Sequence, residues 1–147
     1  MTLERVTRAH LPAIAALERE VFASPWSEKS LELLCTDTAI GFVAMDGERA
    51  VAYGGIMGSA GEGQITNIAT LPTYRRQGWG EKIMAELLRT ARERAWGEIW
   101  LEVRESNVPA ISLYEKIGFV AVGKRPRFYT NPVETAIVMV LSFQGEK

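Results

Sequence analysis

The spacing of apolar residues changes several times along the chain, and each change predicts a new secondary-structure element. After a short predicted strand in LERVT, apolar side chains recur every three or four residues, which predicts an amphipathic helix. The residues of this apolar stripe are Leu11, Ile14, Leu17 and Val21. Ser27 is a good N-cap for a second helix, and Trp26 before it is placed to pack onto Leu31.

The middle of the chain predicts a hairpin, a further strand and a longer helix. GFVAMDGERAVAYGGIMGS is typical of a hairpin that turns near Asp46-Gly47, and GQITNIATL predicts a strand closed by Pro72. A third helix is predicted from Trp79 to about Trp96, with Gly97 at the C′ position. Its apolar face consists of Met84, Leu87, Leu88, Ala91 and Ala95.

The last third of the chain adds a strand, a helix and two closing strands. EIWLEVR predicts a strand, and NVPAISLYEKIGF predicts a helix that begins after Ser106 or Asn107 and ends at Gly118. VAVGKR and ETAIVMVLSF follow as strands. A strand–helix–strand unit needs a crossover and therefore a parallel pair, whereas the hairpins are antiparallel. We expect one α/β domain over residues 1–147, with a mixed, mostly antiparallel central sheet flanked by helices.

Composition and charge exclude several classes of function. The net charge is -1 at pH 7, so no strong bulk field attracts nucleic acid or a membrane surface. No apolar run approaches the roughly 20 residues of a membrane span, and the N-terminus does not resemble a signal peptide. We therefore expect a soluble cytoplasmic protein.

Cysteine and histidine are nearly absent, which limits the chemistry available. The sequence holds one cysteine, Cys35, and one histidine, His10. This composition allows no internal disulfide and no Cys/His zinc cluster, so no metal site is expected. A Cys–His nucleophilic pair would require these two residues to meet, and we expect Cys35 to be a small buried hydrophobe instead. The chemistry must come from carboxylates, hydroxyls, tyrosine and backbone.

The segment RRQGWGEKI, between a predicted strand and a predicted helix, is a candidate phosphate site. A helix N-terminus presents unpaired N–H groups and a partial positive charge, and Gly78 and Gly80 would let a ligand approach the backbone. The segment lacks the third glycine of a dinucleotide fingerprint and the Gly-Lys-Ser/Thr ending of a nucleotide-triphosphate loop. From these residues alone, a turn with solvated arginines is an equally valid alternative.

Two further side chains are candidates for proton transfer. Alternation along IWLEVRESN places Glu102 in mid-strand, on the face opposite Ile99 and Leu101. It is either a general base or the partner of a nearby Arg or Lys. Tyr114 lies on the apolar stripe of the following helix, where it is either a packed ring or the proton donor to a leaving group. Asn107 either caps that helix or offers its amide to a ligand.

Taken together, these segments resemble the GNAT superfamily of N-acetyltransferases. ITNIATLPTYRRQGWGEKIMAELL is similar to the superfamily's acetyl-CoA motif, and WLEVRESNVPAISLYEKIGF is similar to its next motif. The latter, with SPWSEKSL and RFYTNPVETAIVMVL, resembles the RimI-type ribosomal-protein-alanine N-acetyltransferases. The resemblance runs nearly end to end and implies the GNAT fold, in which one parallel strand pair of the sheet is splayed.

The resemblance also implies roles for individual residues. Glu102 would be the general base and Tyr114 the general acid. The backbone of Ile68, Ala69 and Thr70 would meet the acetyl and pantetheine end of acetyl-CoA. The pyrophosphate and the rest of the cofactor would be held by Arg75, Arg76, Gln77, Gly78, Trp79, Gly80, Glu81 and Asn107.

The chain departs from the family pattern at Glu81, where RimI-type enzymes often have Arg or Lys. A carboxylate there suits the helix dipole but repels phosphate. The phosphate site is therefore expected to depend on backbone N–H groups and on Arg75 or Arg76.

On the substrate side, Trp26, Arg127 and Tyr129 are candidates to line a groove for a peptide N-terminus. Trp26 is otherwise a helix staple, and KRPRFY is otherwise an exposed hairpin. The resemblance implies acetylation of a protein N-terminus, that of a ribosomal protein. We further expect a monomer and, from the charge and the lack of long apolar runs, no nucleic acid or membrane partner. The acceptor would be the N-terminal alanine of small-subunit ribosomal protein eighteen. Two alternatives stay open: a GNAT enzyme acting on a small-molecule amine or a lysine side chain, and a non-catalytic acyl-CoA-binding module.

Overall fold

The computed structural model describes residues 1–143 and contains the elements in the predicted order. The strands are β1 (Thr2–Arg5), β2 (Ala39–Asp46), β3 (Arg49–Ser59), β4 (Glu62–Thr70), β5 (Glu98–Arg104), β6 (Val120–Tyr129) and β7 (Glu134–Ser142). The helices are α1 (Leu11–Val21), α2 (Glu28–Leu31), α3 (Trp79–Glu93) and α4 (Val108–Ile117). Short 3-10 turns precede α1, follow α2 and follow β4. Within residues 1–143, no helix is long and apolar enough to cross a membrane.

The seven strands form one mixed sheet in the order β1-β2-β3-β4-β5-β7-β6. All neighbouring strands are antiparallel except β4 and β5, which are parallel. That parallel pairing covers only Glu62↔Glu98 to Gln64↔Trp100, so the two strands separate beyond Gln64. The expected GNAT architecture, with one splayed parallel pair in a mostly antiparallel sheet, is confirmed.

Helices cover the two faces of the sheet. The interior of β3 shows which helix lies on which face: a Cβ added to Gly54 would meet Ile83 and Leu87 of α3. One residue later, a Cβ on Gly55 would meet Leu34 after α2, on the opposite face. A Cβ added to Gly63 of β4 would meet Ile99 and Ile56, and Ile56 lies on the α3 face because it is two residues after Gly54. Ile99 therefore faces α3, and Glu102, three residues later on the same strand, points to the opposite, α1 side.

Strand β4 contains a β-bulge that fixes which of its side chains share a face. Gly55 pairs with Asn67 and Ile56 with Ile65, so Thr66 is an extra residue without a register partner. Because one residue is inserted, Gln64 and Asn67 point to the same side although they are three positions apart. Their hydrogen bonds, to Glu102 and to Glu18 of α1, confirm this.

The predicted end of α3 was wrong by a few residues. The helix ends at Glu93, and Ala95, with φ 59°, takes the left-handed position that was assigned to Gly97. The Trp96 N–H donates to the Ala91 carbonyl at 2.9 Å, and the Ala95 N–H donates to the Arg92 carbonyl at 3.1 Å. These two bonds form a Schellman motif, which satisfies the last helical carbonyls without a glycine.

Candidate active site

The splay between β4 and β5 opens a cleft in the middle of the sheet. Ile68, Ala69 and Thr70 lie on the part of β4 that pairs with β3 on one edge and has no β5 partner on the other. Their backbone groups on that free edge can therefore bind a ligand. Two buried polar atoms near the cleft, Thr66 Oγ1 and Trp100 Nε1, have no hydrogen-bond partner among residues 1–143.

The N-terminus of α3 follows β4 and is left uncapped by side chains. Gly78 is the N-cap, with φ 84°, and no side chain accepts a hydrogen bond from the first turn. The first helical bond runs from the Lys82 N–H to the Gly78 carbonyl at 3.0 Å, so the N–H groups of residues 79–81 are unpaired within the described chain. A Cβ on Gly78 would have no atom within 4 Å, which shows that the approach to this end of the helix is open.

The side chains before α3 divide between structural contacts and free charge. Arg75 Nε donates to the Thr70 carbonyl at 3.1 Å and so ties the loop to the end of β4. Gln77 Oε1 accepts from Trp79 Nε1 at 3.2 Å. Arg76 is exposed and has a φ of 65°, so it is the arginine better placed to meet an anion.

Glu81, the departure from the family pattern, is paired. Its Oε1 lies 3.3 Å from Lys116 Nζ of α4, in a half-exposed salt bridge. Lys116 therefore offsets part of the negative charge that would repel phosphate at the helix N-terminus, although an exposed pair of this kind is weak. Nζ of the adjacent residue, Lys82, lies 4.5 Å from the centre of the Trp79 ring.

Glu102 lies on β5 at the point where β4 and β5 separate. Its side chain is only 18% exposed, and its Oε1 accepts a hydrogen bond from Gln64 Nε2 at 2.9 Å. Arg125 Nη1 lies 3.9 Å from Oε2, at the distance limit for an ion pair. The ion-pair alternative is thus present but weak, since Arg125 is mostly exposed and loosely placed.

Tyr129 is close enough to this carboxylate to interact with it electrostatically, and Tyr114 is in turn close to Tyr129. Burial, with the nearby Tyr129 phenol, raises the pKa of Tyr114 to about 12. Burial and the Glu102 carboxylate raise the pKa of Tyr129 to about 12 as well. The Tyr114 hydroxyl makes no hydrogen bond within residues 1–143, so it is a donor without an acceptor. The packed-ring alternative for Tyr114 also holds, since its ring lies 5.9 Å from that of Phe119.

Asn107 is the N-cap of α4, and part of its side chain is left over for other contacts. Its Oδ1 accepts from the Ala110 N–H at 3.3 Å and caps α4. Only the oxygen is used in this cap, so the side-chain NH2 group is available to a ligand.

The predicted acceptor residues lie in the α1–α2 loop and near the end of β6, and the β6–β7 turn links these two regions. Trp26 lies between α1 and α2 and packs against the core. Arg127 is exposed with a φ of 56°, at an irregular part of β6, and Tyr129 ends that strand. Asn131 Nδ2, in the β6–β7 turn, donates to Ser24 Oγ at 3.1 Å and so links this turn to the α1–α2 loop.

A partly buried ion pair fixes the β6–β7 turn. Arg104 donates to the carbonyls of Thr130 and Pro132 and to Glu134 Oε1, and its guanidinium stacks on Tyr129 at 4.5 Å. The Ser106 N–H donates to Glu134 Oε2 and, with Arg104, holds the pKa of that carboxyl below its usual range.

Sequence reasoning missed four contributors to this region: Gln64, Lys116, Arg104 and the buried Glu18. Each acts through a partner that is far away in the sequence, so no local pattern identifies it. The bulge at Thr66, which turns Gln64 and Asn67 to one side, also leaves no signal in the hydropathy pattern.

Other parts of the surface do not compete with this site. A cavity of about 390 Å³ lies between α1 and the β2–β3 hairpin, lined by residues such as Leu17, Glu20 and Arg49. None of the predicted site residues lines it. Cys35 is half-buried beyond α2, while His10 contacts Thr7 and Glu4. Among residues 1–143, no group of three His, Cys, Asp or Glu side chains could hold a metal ion.

Comparisons with known proteins agree with the fold and with the position of these motifs. Residues 11–119 match the model of the Acetyltransferase (GNAT) family. The chain is 33% identical to the [Ribosomal protein bS18]-alanine N-acetyltransferase of Escherichia coli K12, over 95% of this chain and 96% of that one. The enzyme of the same name from Haemophilus influenzae is 32% identical, over 84% and 86% of the two chains.

A solved structure gives the same result. The crystal structure of the ribosomal-protein-S18-alanine N-acetyltransferase from Escherichia coli superposes with a TM-score of 0.87, covering 97% of this chain and 93% of that one. The matched family model includes β4, the N-terminus of α3, Glu102 and Tyr114. The chain belongs to the GNAT family of acetyltransferases.

Proposed function

We propose that this enzyme transfers an acetyl group from acetyl-CoA directly to the N-terminal amine of a protein, namely the N-terminal alanine of ribosomal protein bS18. The observation that carries the proposal is the constellation at the splay: a partly buried carboxylate and a protonated phenol beside a free strand edge that leads to an uncapped helix N-terminus. The relatives that are named for this reaction match over nearly the whole chain.

The residues present fit acetyl-CoA. A pyrophosphate needs several N–H donors and an open approach, and the unpaired N–H groups of residues 79–81 next to Gly78 supply both. Arg76 adds a positive charge, and the Lys116–Glu81 pair leaves little net negative charge at the helix N-terminus. Asn107 offers the NH2 group of its side chain at the N-terminus of α4. We assign Ile68, Ala69 and Thr70 to the acetyl and pantetheine end.

When bound, acetyl-CoA supplies an activated acetyl group. Glu102 takes a proton from the incoming amine, directly or through a water. An α-amino group has a pKa of about 7.7–8.0, so a fair fraction is already neutral at pH 7 and one moderate base suffices. Gln64 holds Oε1 of Glu102 and leaves Oε2 to receive the proton.

Negative charge that develops on the reacting carbonyl oxygen needs a fixed donor, and a backbone N–H on the free edge of β4 near Ile68 is the candidate. Tyr114 then donates its proton to the departing sulfur. With a pKa of about 12 the phenol holds its proton at neutral pH, so the donor form is fully populated, although the raised pKa also makes it a weaker acid than a free tyrosine. These steps need no covalent enzyme intermediate.

The experiment is mass spectrometry of a peptide panel incubated with the enzyme and acetyl-CoA. The panel includes peptides that begin with Ala, Ser or Met, the Ala peptide with a blocked N-terminus, and one peptide with an internal Lys. We expect acetylation of the Ala peptide at its N-terminus and no product from its blocked form. Acetylation of the internal Lys alone would favour the side-chain alternative, and cofactor binding without any product would favour the non-catalytic module.

A further inference from the structure

A buried carboxylate on α1 has no role in the mechanism above. Glu18 is completely buried, although α1 is amphipathic and lies on the surface of the sheet. It lies four residues after Ile14 on the buried side of the helix. A carboxylate in such a place is costly unless its oxygens are hydrogen-bonded, so its partners show what it stabilises.

The two oxygens of Glu18 serve two different parts of the protein. Oε1 accepts the Trp26 backbone N–H at 2.8 Å, in the loop between α1 and α2. Oε2 accepts a hydrogen bond from the Tyr53 hydroxyl of β3 and another from Asn67 Nδ2 of β4, the latter at 2.9 Å. Asn67 Nδ2 also lies 2.9 Å from the Tyr53 hydroxyl, so the three side chains form a closed cluster.

The cluster connects the two halves of the reaction centre. Trp26 belongs to the loop that we assign to the acceptor, and Asn67 immediately precedes Ile68, where the acetyl group is assigned. Asn67 and Gln64 point to the same side of β4, so the Glu18 cluster and Glu102 lie on one face of the sheet. Glu18 therefore sets the distance between the acceptor loop and the strand that borders the acetyl group.

We propose that Glu18 is a positioning residue for the acceptor: its carboxylate holds the α1–α2 loop against β4 so that the peptide N-terminus binds within reach of the acetyl group. This inference rests on the proposed function. It predicts that a change at Glu18 acts on acceptor binding and leaves the acetyl-CoA site, on the α3 side of the splay, almost unaffected.

The chemistry of the cluster selects the substitution that tests this. All partners of the Glu18 carboxylate are donors. In Glu18→Gln one oxygen remains as an acceptor, but the new NH2 group is itself a donor. It must face either the Trp26 N–H or the Tyr53 and Asn67 donors, so one of these hydrogen bonds is lost. The second substitution Asn67→Asp restores an acceptor opposite that NH2 group, so the double variant Glu18→Gln/Asn67→Asp rebuilds the cluster with donor and acceptor exchanged. Glu20→Gln is the matched control, since Glu20 is exposed on the same helix and, among residues 1–143, pairs only with Arg49, at 3.2 Å.

The measurement is steady-state kinetics with the Ala-initiated peptide and with acetyl-CoA, on folded protein of each variant. We expect Glu18→Gln to raise the peptide KM about tenfold or more, while the KM for acetyl-CoA changes less than about twofold. The double variant is expected to recover most of the peptide KM, and Glu20→Gln to match the wild type. Hydrogen exchange at the Trp26 amide gives a readout independent of activity, and we expect faster exchange in Glu18→Gln alone.

The outcomes separate this inference from the proposed function. If the wild type acetylates no N-terminal amine in the panel, the proposed function fails before Glu18 is tested. If the wild type is active and Glu18→Gln is folded with an unchanged peptide KM, or with equal losses for both substrates, the positioning role is wrong. Should Glu18→Gln not fold, Tyr53→Phe tests the same cluster, because it removes one donor and keeps the carboxylate. An unchanged peptide KM in Tyr53→Phe would then overturn the inference.

Discussion

The cofactor side and the acceptor side of the cleft are built in different ways. The proposed cofactor side comes mainly from one continuous stretch, residues 68–81, with Asn107 added from the start of α4, and it offers mainly backbone groups at a strand edge and a helix N-terminus. The acceptor side is assembled from side chains on α1, β5, the α1–α2 loop and the β6–β7 turn. A backbone site tolerates many side-chain changes, whereas the acceptor side depends on a few particular ones.

The largest expected effect is at Glu102, on the acceptor side. Glu102→Gln keeps the size of the side chain and a hydrogen bond to Gln64 but removes the base, so we expect kcat to fall by roughly 10²–10⁴. Acetyl-CoA binding, measured by calorimetry, is expected to stay unchanged. Glu105→Gln is the control, because Glu105 is exposed and pairs with Lys124. Near-normal turnover of Glu102→Gln would remove Glu102 from the mechanism.

Tyr114→Phe is expected to lower kcat by a similar factor, roughly 10²–10⁴, again with acetyl-CoA binding retained. The loss should be smaller with an acetyl donor whose leaving thiol has a lower pKa, because such a thiol needs less help from a proton donor. An equal loss with both donors would assign Tyr114 to packing alone.

The same residue gives a pH test of stability. The folded-state pKa of Tyr114, about 12, lies above the ordinary value of a tyrosine in the unfolded chain. The phenol's contribution is therefore fully present below about pH 10 and is lost as the pH rises toward 12. Denaturant unfolding should show Tyr114→Phe losing about 2–3 kcal/mol less than the wild type across that interval. Parallel curves would contradict the burial of this phenol.

On the cofactor side, two glycines two positions apart should respond differently. Gly78→Ala forces a Cβ into a left-handed conformation at a cost of about 1 kcal/mol and shifts the first N–H groups of α3. Gly80→Ala places a Cβ at 3.5 Å from Leu113, an ordinary contact inside a helix. We expect about tenfold weaker acetyl-CoA binding for Gly78→Ala and almost none of this loss for Gly80→Ala. Equal losses would show that access, and not backbone geometry, controls the site.

The smallest expected effect is at Glu81. Glu81→Gln removes a half-exposed carboxylate and releases Lys116, so acetyl-CoA should bind a few-fold more tightly at low salt. Glu86→Gln, further along α3 and paired with Arg89, is the control. Calorimetry at low and high ionic strength checks this, since the gain should fade as salt screens the charges. A loss of affinity would mean that the Glu81–Lys116 pair itself supports phosphate binding at the N-terminus of α3.

The contrast between contiguous and assembled parts of the cleft also explains how much of the structure the sequence could predict. Periodicity predicted the elements and their order, and simple alternation placed Glu102 opposite the buried residues of β5, because these are properties of adjacent residues. Periodicity assigns Glu18 no role, since its sheet partners lie 35 and 49 positions away. Ala95 took the place expected of Gly97 because a Schellman motif depends on hydrogen bonds that residue type does not determine alone.

The extra residue at Thr66 constrains how this chain can change in length. In a regular strand, side chains three apart face opposite ways, and the bulge alone gives Gln64 and Asn67 the same parity. Deleting one residue here would turn one of the two away, so the contacts to Glu102 and Glu18 could not coexist. A loop can lose a residue at small cost. In β4, by contrast, the number of residues between Gln64 and Asn67 is fixed, because it decides whether the proposed base and the proposed acceptor loop are both held from the same face of the sheet.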